Sequence, residues 1–182
     1  MNATDLLEKQ HRKVETIFAK LEDVARPSDA KQLLEELAND LAAHMTIEQE
    51  LFYPAVRSID AELVAESFEE HALAELALKR LLAADTAEAF KARVTALKEL
   101  IEHHVEEEEE ELFPKVDKAL GSDKLEQLGA EMETRFDDVV AAGYKKVLSK
   151  GTVTTSVDAS RSKKKAAPRT KKAQPTRRKS AA

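Results

Sequence analysis

Two stretches of this sequence each carry a His followed four residues later by a Glu, with a Pro six residues after that Glu. The residues are His44, Glu48 and Pro54 in the first stretch and His104, Glu108 and Pro114 in the second. Because residues four apart lie on one face of a helix, each stretch presents an imidazole and a carboxylate side by side. Both groups are ligands for transition metals, so the sequence contains the same metal-binding pair twice.

The two stretches belong to a longer repeat. A shift of sixty residues aligns His11 with His71, His44 with His104, Glu48 with Glu108, Tyr53 with Phe113 and Pro54 with Pro114. The shift predicts a duplicated helix–turn–helix unit and hence an up-down-up-down four-helix bundle with pseudo-two-fold symmetry. Short connections make neighbouring helices antiparallel, which places the four histidines at a similar depth along the bundle.

This convergence predicts one metal site built from two halves. The six predicted ligands are His11, His44, Glu48, His71, His104 and Glu108. Four imidazoles buried together would be unfavourable without a shared cation. Mixed imidazole and carboxylate ligands suit iron or manganese and do not exclude zinc, and six ligands suffice for two ions if the carboxylates bridge.

His103 introduces an ambiguity of register, because Glu107 follows it at the same spacing. The distance to Pro114 and the sixty-residue shift both select His104 instead. His103 lies about 100° away around the helix, so we expect it to be partly exposed or to support a ligand.

Other acids near the histidines have several interpretations. Glu15 and Glu75 each follow a predicted ligand by four residues and could be ligands, acceptors for the imidazoles or surface acids; we favour the last two. Within the acidic run from Glu106 to Glu111, only Glu108 shares a helix face with His104, so we expect the rest to face solvent.

Composition favours an all-α protein. Of 182 residues, 42% are apolar and only 4% aromatic, and none is Cys. The lack of Cys excludes disulfides and thiolate-bound metals. No apolar run approaches the roughly 20 residues that cross a bilayer, so we expect no membrane partner and a cytoplasmic location.

Helical periodicity divides the chain into five segments. The first begins near Thr4, the second spans about residues 30 to 54, the third follows a cap at Asp60, and the fourth follows a cap at Asp85-Thr86. A fifth amphipathic segment runs from about Leu125 as an extra C-terminal helix. These segments predict a domain over residues 1–148.

Residues 149–182 have a different composition. From Lys150 onward there are eleven Lys and Arg and a single acid, a net charge of +10, while the rest of the chain carries −16. This Lys/Arg-rich tail is predicted to be disordered. It suits non-specific contact with nucleic acid phosphates, or with the acidic body of the same protein.

The order of these residues resembles the hemerythrin-like HHE cation-binding domains, particularly bacterial ones. It carries His11, then His44 and Glu48 before Leu-Phe-Tyr-Pro, then His71, then His104 and Glu108 before Leu-Phe-Pro. The resemblance covers about residues 3 to 120, extending to 148 with the fifth helix, and departs at Gln10, where Asp is common.

The resemblance implies a non-heme di-iron centre. Both Glu would bridge, each iron would take two His, and an oxo or hydroxo group would complete the core. Oxygen-carrying members have a further His where this chain has Glu75, and an Asp late in the fourth helix that has no match here. Relatives with four His and two Glu are associated with sensing, nitric oxide or peroxide chemistry, and iron homeostasis.

The leading hypothesis is a cytoplasmic di-iron protein that binds or senses oxygen, nitric oxide or peroxide. One alternative is a di-iron enzyme that consumes peroxide or nitric oxide. Another is a nucleic-acid-associated helical bundle with a structural metal. Manganese and zinc are the alternative metals, and the sequence gives no indication of oligomeric state.

Overall fold

The computed structural model describes residues 1–148, which are helical and contain no strand. The α-helices are α1 (Ala3–Glu22), α2 (Lys31–Ile47), α3 (Tyr53–Val56), α4 (Ala61–Leu82), α5 (Ala87–Glu107), α6 (Phe113–Ala119), α7 (Ser122–Ala142) and α8 (Tyr144–Leu148). The predicted tail, residues 149–182, lies outside the described residues.

Four long helices surround the predicted metal site. Helix α1 contacts α2 and α5, and α4 also contacts α2 and α5, so these four form a closed ring of contacts. We call α1 to α3 the first half of the molecule and α4 to α6 the second half. Helix α7 packs against α1 and α2, which are both in the first half.

Side-chain caps start several of these helices, as their sequences predict. The carboxylate of Asp60 accepts a hydrogen bond from the N–H of Leu63 at 3.1 Å, and the Thr86 hydroxyl accepts one from Ala89 at 3.2 Å. These bonds satisfy amide groups that have no partner within the helix. Both predicted caps are confirmed.

A π-helical turn follows both α2 and α5. The first π turn is Glu48–Phe52 and the second is Glu108–Leu112, and each begins at a predicted ligand. A Pro two residues beyond each turn has no N–H, and its ring would clash with the carbonyl four residues earlier in a regular α-helix. The wider turn avoids that clash, and it interrupts the helix that the sequence predicted to continue to Pro54.

The apolar core consists of two clusters. One includes Phe18, Leu37, Leu78 and Phe90, and the other includes Leu7, Phe52, Tyr53 and Phe113. Buried polar residues lie between them: His11 lines a cavity with Val14 of the first cluster and stacks on Phe113 of the second, and Glu108 accepts from Tyr53 of the second. The polar groups thus form a layer inside the core, which is where a bound ion would be shielded from water.

Close backbone contact allows α7 to cover the start of α1. A Cβ added to Gly129 would overlap the backbone of Met1, Asn2 and Ala3, so only Gly permits this approach. Helix α7 ends at Gly143, whose φ of 82° is in the region that favours glycine. None of the helices among residues 1–148 is long and apolar enough to cross a membrane.

Candidate metal centre

The four predicted histidines come from four helices and are all buried. They are His11 on α1, His44 on α2, His71 on α4 and His104 on α5. Their Nε2 atoms meet in two pairs, 3.2 Å apart for His11 and His44 and 3.0 Å apart for His71 and His104. Two nitrogens bound to one ion at about 2.1 Å and at a right angle lie about 3.0 Å apart, so each pair has suitable spacing.

Two carboxylates span these pairs, which we call the first imidazole pair (His11 and His44) and the second imidazole pair (His71 and His104). Glu48 Oε2 lies 3.2 Å from Nε2 of His44 and 3.3 Å from Nε2 of His71. Glu108 Oε2 lies 3.5 Å from Nε2 of His11 and 3.7 Å from that of His104. Each carboxylate therefore reaches one imidazole of each pair.

The carboxylate oxygens provide a test of whether the site fits a metal. Both side-chain oxygens of Glu48 and Oε2 of Glu108 are buried and accept no hydrogen bond. A buried carboxylate without a hydrogen-bond partner is strongly unfavourable. Cations held among these oxygens and the four imidazole nitrogens would compensate that desolvation, so the residues fit a metal centre.

Electrostatics distinguish the histidines. Burial lowers the pKa of His44 and His71 well below the usual value, and the neighbouring charge of His11 or His104 respectively adds to this. These two imidazoles are therefore neutral, as a metal ligand must be. Burial also acts to lower the pKa of His11, but the nearby carboxylate of Glu108 and the hydrogen bond to Glu109 outweigh burial and raise that pKa.

The two carboxylates also differ. Burial, followed by repulsion from Glu108, raises the pKa of Glu48 well above its usual value. Burial acts in the same direction on Glu108, but the charges of His104 and His11 lower its pKa overall. Two carboxylates this close repel each other, and a shared cation would remove that repulsion.

Each imidazole has a polar partner at its outward-facing nitrogen. Nδ1 lies 2.8 Å from Glu109 Oε1 for His11, 2.8 Å from Gln10 Oε1 for His44, 3.0 Å from the Gln49 amide for His71, and 2.7 Å from Glu70 Oε2 for His104. The Gln49 amide can present either its oxygen or its nitrogen to Nδ1. These partners orient the rings so that Nε2 faces the centre.

Sequence reasoning did not identify these four partners, although the repeat contained the signal. Gln10 and Glu70 each immediately precede a predicted ligand His, and Gln49 and Glu109 each immediately follow a predicted ligand Glu. Both pairs are related by the shift of sixty residues. The change from amide to carboxylate within each pair hid the equivalence.

Tyr53 is a further residue of the site. Its side chain is fully buried, and its hydroxyl donates to Glu108 Oε1 at 2.9 Å and lies 3.2 Å from Nε2 of His71. Burial, with the charges of Glu108 and Glu48, raises its pKa well above the usual value, so the phenol is protonated. Phe113, which the repeat aligns with Tyr53, instead stacks on His11 with ring centroids 6.0 Å apart.

Neither Glu15 nor Glu75 contacts a site histidine. Glu15 forms an ion pair with Arg12 at 2.8 Å, and Glu75 pairs with Lys79. Of the interpretations left open for them, the structure favours surface acids. Their side chains are partly exposed, 42% for Glu15 and 25% for Glu75.

His103 is 61% exposed, and its Nε2 lies 3.6 Å from Glu70 and 3.5 Å from Glu107. It contacts the partner of His104 rather than the centre itself, which agrees with the expected register. The expectation that all other acids in the Glu106–Glu111 run face solvent is wrong for Glu109. That side chain is drawn inward by its contacts with His11 and Arg12.

Fold and site together define an all-helical, metal-binding protein with a buried His and Glu cluster. The family model "Hemerythrin HHE cation binding domain" matches residues 2–116, a range that contains all six predicted ligands. The chain belongs to this family. The predicted family resemblance is confirmed.

Individual relatives agree with this assignment. A solved HHE cation-binding protein from Mycobacterium kansasii, a homologue of Rv2633c, matches with a TM-score of 0.70 and 25% identity, over 84% of this chain and 95% of that chain. Rv2633c of Mycobacterium tuberculosis is 23% identical over 83% of this chain and 95% of its own. A Nostoc "DNA nickase" is 31% identical over 73% of this chain, which matches only 38% of that protein.

Proposed function

We propose that this protein is a non-heme di-iron protein that binds or senses dioxygen, nitric oxide or peroxide. In this proposal the first imidazole pair holds one iron, the second imidazole pair holds the other, and Glu48 and Glu108 bridge them. The carrying observation is the set of three buried carboxylate oxygens without hydrogen bonds, placed among four convergent Nε2 atoms. We further infer an oxo or hydroxo bridge from the family.

The donor set supports two ions of a borderline metal. The donors fall into two clusters, one of His11 and His44 with both carboxylates and one of His71 and His104 with Glu48, so two ions would use every donor. Imidazole combined with carboxylate suits iron, and manganese and zinc are the alternatives to be separated by metal analysis. Bound irons supply one-electron redox chemistry and coordination positions for small molecules.

A cavity beside the imidazoles limits which molecules fit. It has a volume of about 10 Å³, close to the space one water molecule needs. It is lined by the four histidines and by apolar side chains: Val14, Leu41, Met45, Ile101 and Val105. A space of this size has room for about one water-sized molecule, which supports a small ligand over a larger substrate.

The residues around the centre have separate roles in this proposal. The outward partners hold each imidazole in the tautomer that presents Nε2. The Tyr53 hydroxyl donates a hydrogen bond to Glu108 and fixes that carboxylate. The apolar clusters on both sides exclude water, which strengthens the electrostatic interactions within the site.

Metal analysis and an optical spectrum test the proposal. Protein purified without oxygen and then exposed to air should contain about two irons per chain and develop charge-transfer bands of a bridged iron pair. The double variant His44→Ala with His104→Ala removes one ligand from each pair and should lose both ions. His103→Ala, which removes the neighbouring exposed imidazole, is the matched control and should retain them.

The same preparation separates binding from catalysis. An enzyme would consume hydrogen peroxide or nitric oxide faster than an equal amount of free iron. A binding or sensing protein would show a spectral change on ligand addition without sustained consumption. Wild-type protein without bound metal, or unchanged metal content in the double variant, would contradict the proposal.

A second proposal concerns nucleic acid. The charge of +10 from Lys150 onward supports contact with phosphates, and the name of the Nostoc relative gives independent support. Full-length protein should retard a DNA duplex at low salt, whereas protein ending at Leu148 should not. Equal retardation by both forms would contradict this proposal.

We also propose that the two halves arose from one duplicated helix pair, arranged as a pseudo-two-fold four-helix bundle within a domain of residues 1–148. Three features support it. The π turns, the imidazole pairs and the outward partners all recur after sixty residues. A truncated protein of residues 1–148 that folds and retains metal would support the domain boundary.

A further inference from the structure

The four outward partners of the imidazoles are of two chemical kinds. Gln10 and Gln49 are neutral amides, whereas Glu70 and Glu109 are carboxylates. We call an imidazole carboxylate-backed or amide-backed according to its Nδ1 partner. All four partners lie within 3.0 Å of Nδ1, so the difference between them is one of charge and basicity.

The two kinds are distributed evenly between the imidazole pairs. In the first pair His11 is carboxylate-backed and His44 is amide-backed. In the second pair His104 is carboxylate-backed and His71 is amide-backed. Each proposed iron therefore has one imidazole of each kind.

The two kinds of imidazole also differ in which of the two carboxylates, Glu48 or Glu108, they lie near. Both carboxylate-backed imidazoles face Glu108, at 3.5 and 3.7 Å. Both amide-backed imidazoles face Glu48, at 3.2 and 3.3 Å. The centre thus has a more negative edge at Glu108, shared equally between the two metal positions.

A carboxylate that accepts the Nδ1–H makes the imidazole a stronger electron donor to a metal at Nε2. Stronger donation, and the added negative charge, stabilise Fe(III) more than Fe(II). We infer that Glu70 and Glu109 lower the reduction potential of the centre, and that placing one at each metal position keeps the two potentials close. This inference rests on the proposed di-iron function.

The surroundings of both carboxylates preserve their effect. Glu109 is 23% exposed and held by Arg12, and Glu70 is 17% exposed with His103 as its outer neighbour. Partly desolvated charges this close to the centre are screened less by water than surface charges are. Glu70 and Glu109 act through the imidazoles and are positioning residues.

The first experiment removes the charges from iron-loaded protein. Glu70→Gln and Glu109→Gln should each raise the midpoint potential, measured by spectroelectrochemistry. A tenfold change in the ratio of Fe(III) to Fe(II) affinity corresponds to about 59 mV for one electron, which is the expected scale. Glu75→Gln and Glu111→Gln remove acids from the same two helical segments without touching a site histidine, and should leave the potential unchanged.

The converse variants add charge. Gln10→Glu and Gln49→Glu should lower the potential by a similar amount. If the Glu→Gln variants do not retain iron, these two variants decide the question, because they leave Glu70 and Glu109 in place and only add charge.

Two double variants with the same net charge test the distribution. Gln10→Glu with Glu70→Gln makes both imidazoles of the first pair carboxylate-backed and both of the second pair amide-backed. This variant should increase the difference between the potentials of the two one-electron reductions. It should also make the two iron sites differ more in the Mössbauer spectrum. Gln10→Glu with Glu109→Gln leaves one imidazole of each kind in each pair, so the separation should stay as in wild type.

Each outcome has a defined meaning. Wild-type protein that holds two irons, with variants whose potentials match the controls, would overturn the inference and leave the proposed function intact. Equal separations in the two double variants would overturn the even-distribution argument. Wild-type protein without an iron pair would overturn the proposed function and this inference together.

Discussion

The two halves of the molecule agree in the atoms that face the metal positions and differ in what surrounds them. The Nε2 separations are 3.2 and 3.0 Å, and the ring centroids lie 4.8 and 4.7 Å apart in the two imidazole pairs. Around them, amides in the first half correspond to carboxylates in the second, and Tyr53 corresponds to Phe113. Ligand geometry is thus duplicated, while charge and hydrogen bonding are specific to each half.

A second difference concerns the outer surface. Helix α7 covers α1 and α2, where Lys13 and Thr16 lie beneath its edge in a groove that Phe136 also lines. At the equivalent positions of α4 are Leu73 and Leu76, which are 54% and 56% exposed. Helix α7 thus packs against the first half and has no counterpart over the second half among the described residues.

Removal of either carboxylate that we propose to bridge should have the largest effect on bound metal, because each contacts an imidazole of both pairs. Glu48→Ala should reduce bound metal from two ions per chain to nearly none, and Glu108→Ala should do the same. His44→Ala, which removes a ligand of the first imidazole pair only, should leave the second position partly occupied. Metal analysis on desalted protein measures this, and Glu111→Ala is a control at a solvent-exposed acid of the second half.

Equal loss in Glu48→Ala and His44→Ala would show that the two positions fill only as a unit. Retention of one ion in Glu48→Ala would show that Glu48 does not bridge. Either result would identify which half depends on the other.

Acidification should release metal from the first half before the second. Protons compete with metal for the imidazoles, so affinity falls as pH falls. The pKa of His11 is raised whereas that of His71, at the equivalent position, is lowered well below its usual value. His11 therefore takes up its proton at a higher pH than His71 does.

Metal content as a function of pH should then fall in two steps. Glu109→Gln replaces the charged acceptor at Nδ1 of His11 with a neutral amide, which weakens the interaction that raises the pKa of His11, so the first step should move to lower pH. A single step in wild type, unaffected by this substitution, would contradict the distinction between the halves.

The sequence was sufficient for the parts of the site that repeat with identical residue types. The His and Glu pairs, the choice of His104 and the caps at Asp60 and Thr86 follow from spacing alone. The outward partners do not, because Gln10 and Glu109 act on imidazoles of other helices, and helix rotation determines which side chains reach them. The π turns were not predicted either, although Pro54 and Pro114 mark them, because a Pro in a helix can also produce a simple kink.

Tyr53→Phe should have a smaller effect, a loss of stability, because it changes no predicted ligand. The substitution places in the first half the residue type that the second half has at Phe113. The substitution removes the donor to Glu108 and leaves a further buried carboxylate oxygen without a partner. Loss of such a hydrogen bond costs about 1–3 kcal/mol in the free energy of unfolding. Urea denaturation of the metal-free protein measures it, with Tyr144→Phe as a control at a partly exposed tyrosine; equal midpoints would show that the phenol does not stabilise Glu108.

His103→Ala should have the smallest effect, and it tests how the second half is aligned with the first. His103 and His104 both precede a Glu by four residues, but only His104 faces the centre, and His103 is largely exposed. A substitution at an exposed position usually changes the free energy of unfolding by no more than about 0.5 kcal/mol, and metal content should be unchanged. Loss of an ion in His103→Ala, with retention in His104→Ala, would show that His103 is the ligand. The alignment of the two halves would then be wrong by one residue, and the other site residues would no longer be equivalent after a shift of sixty.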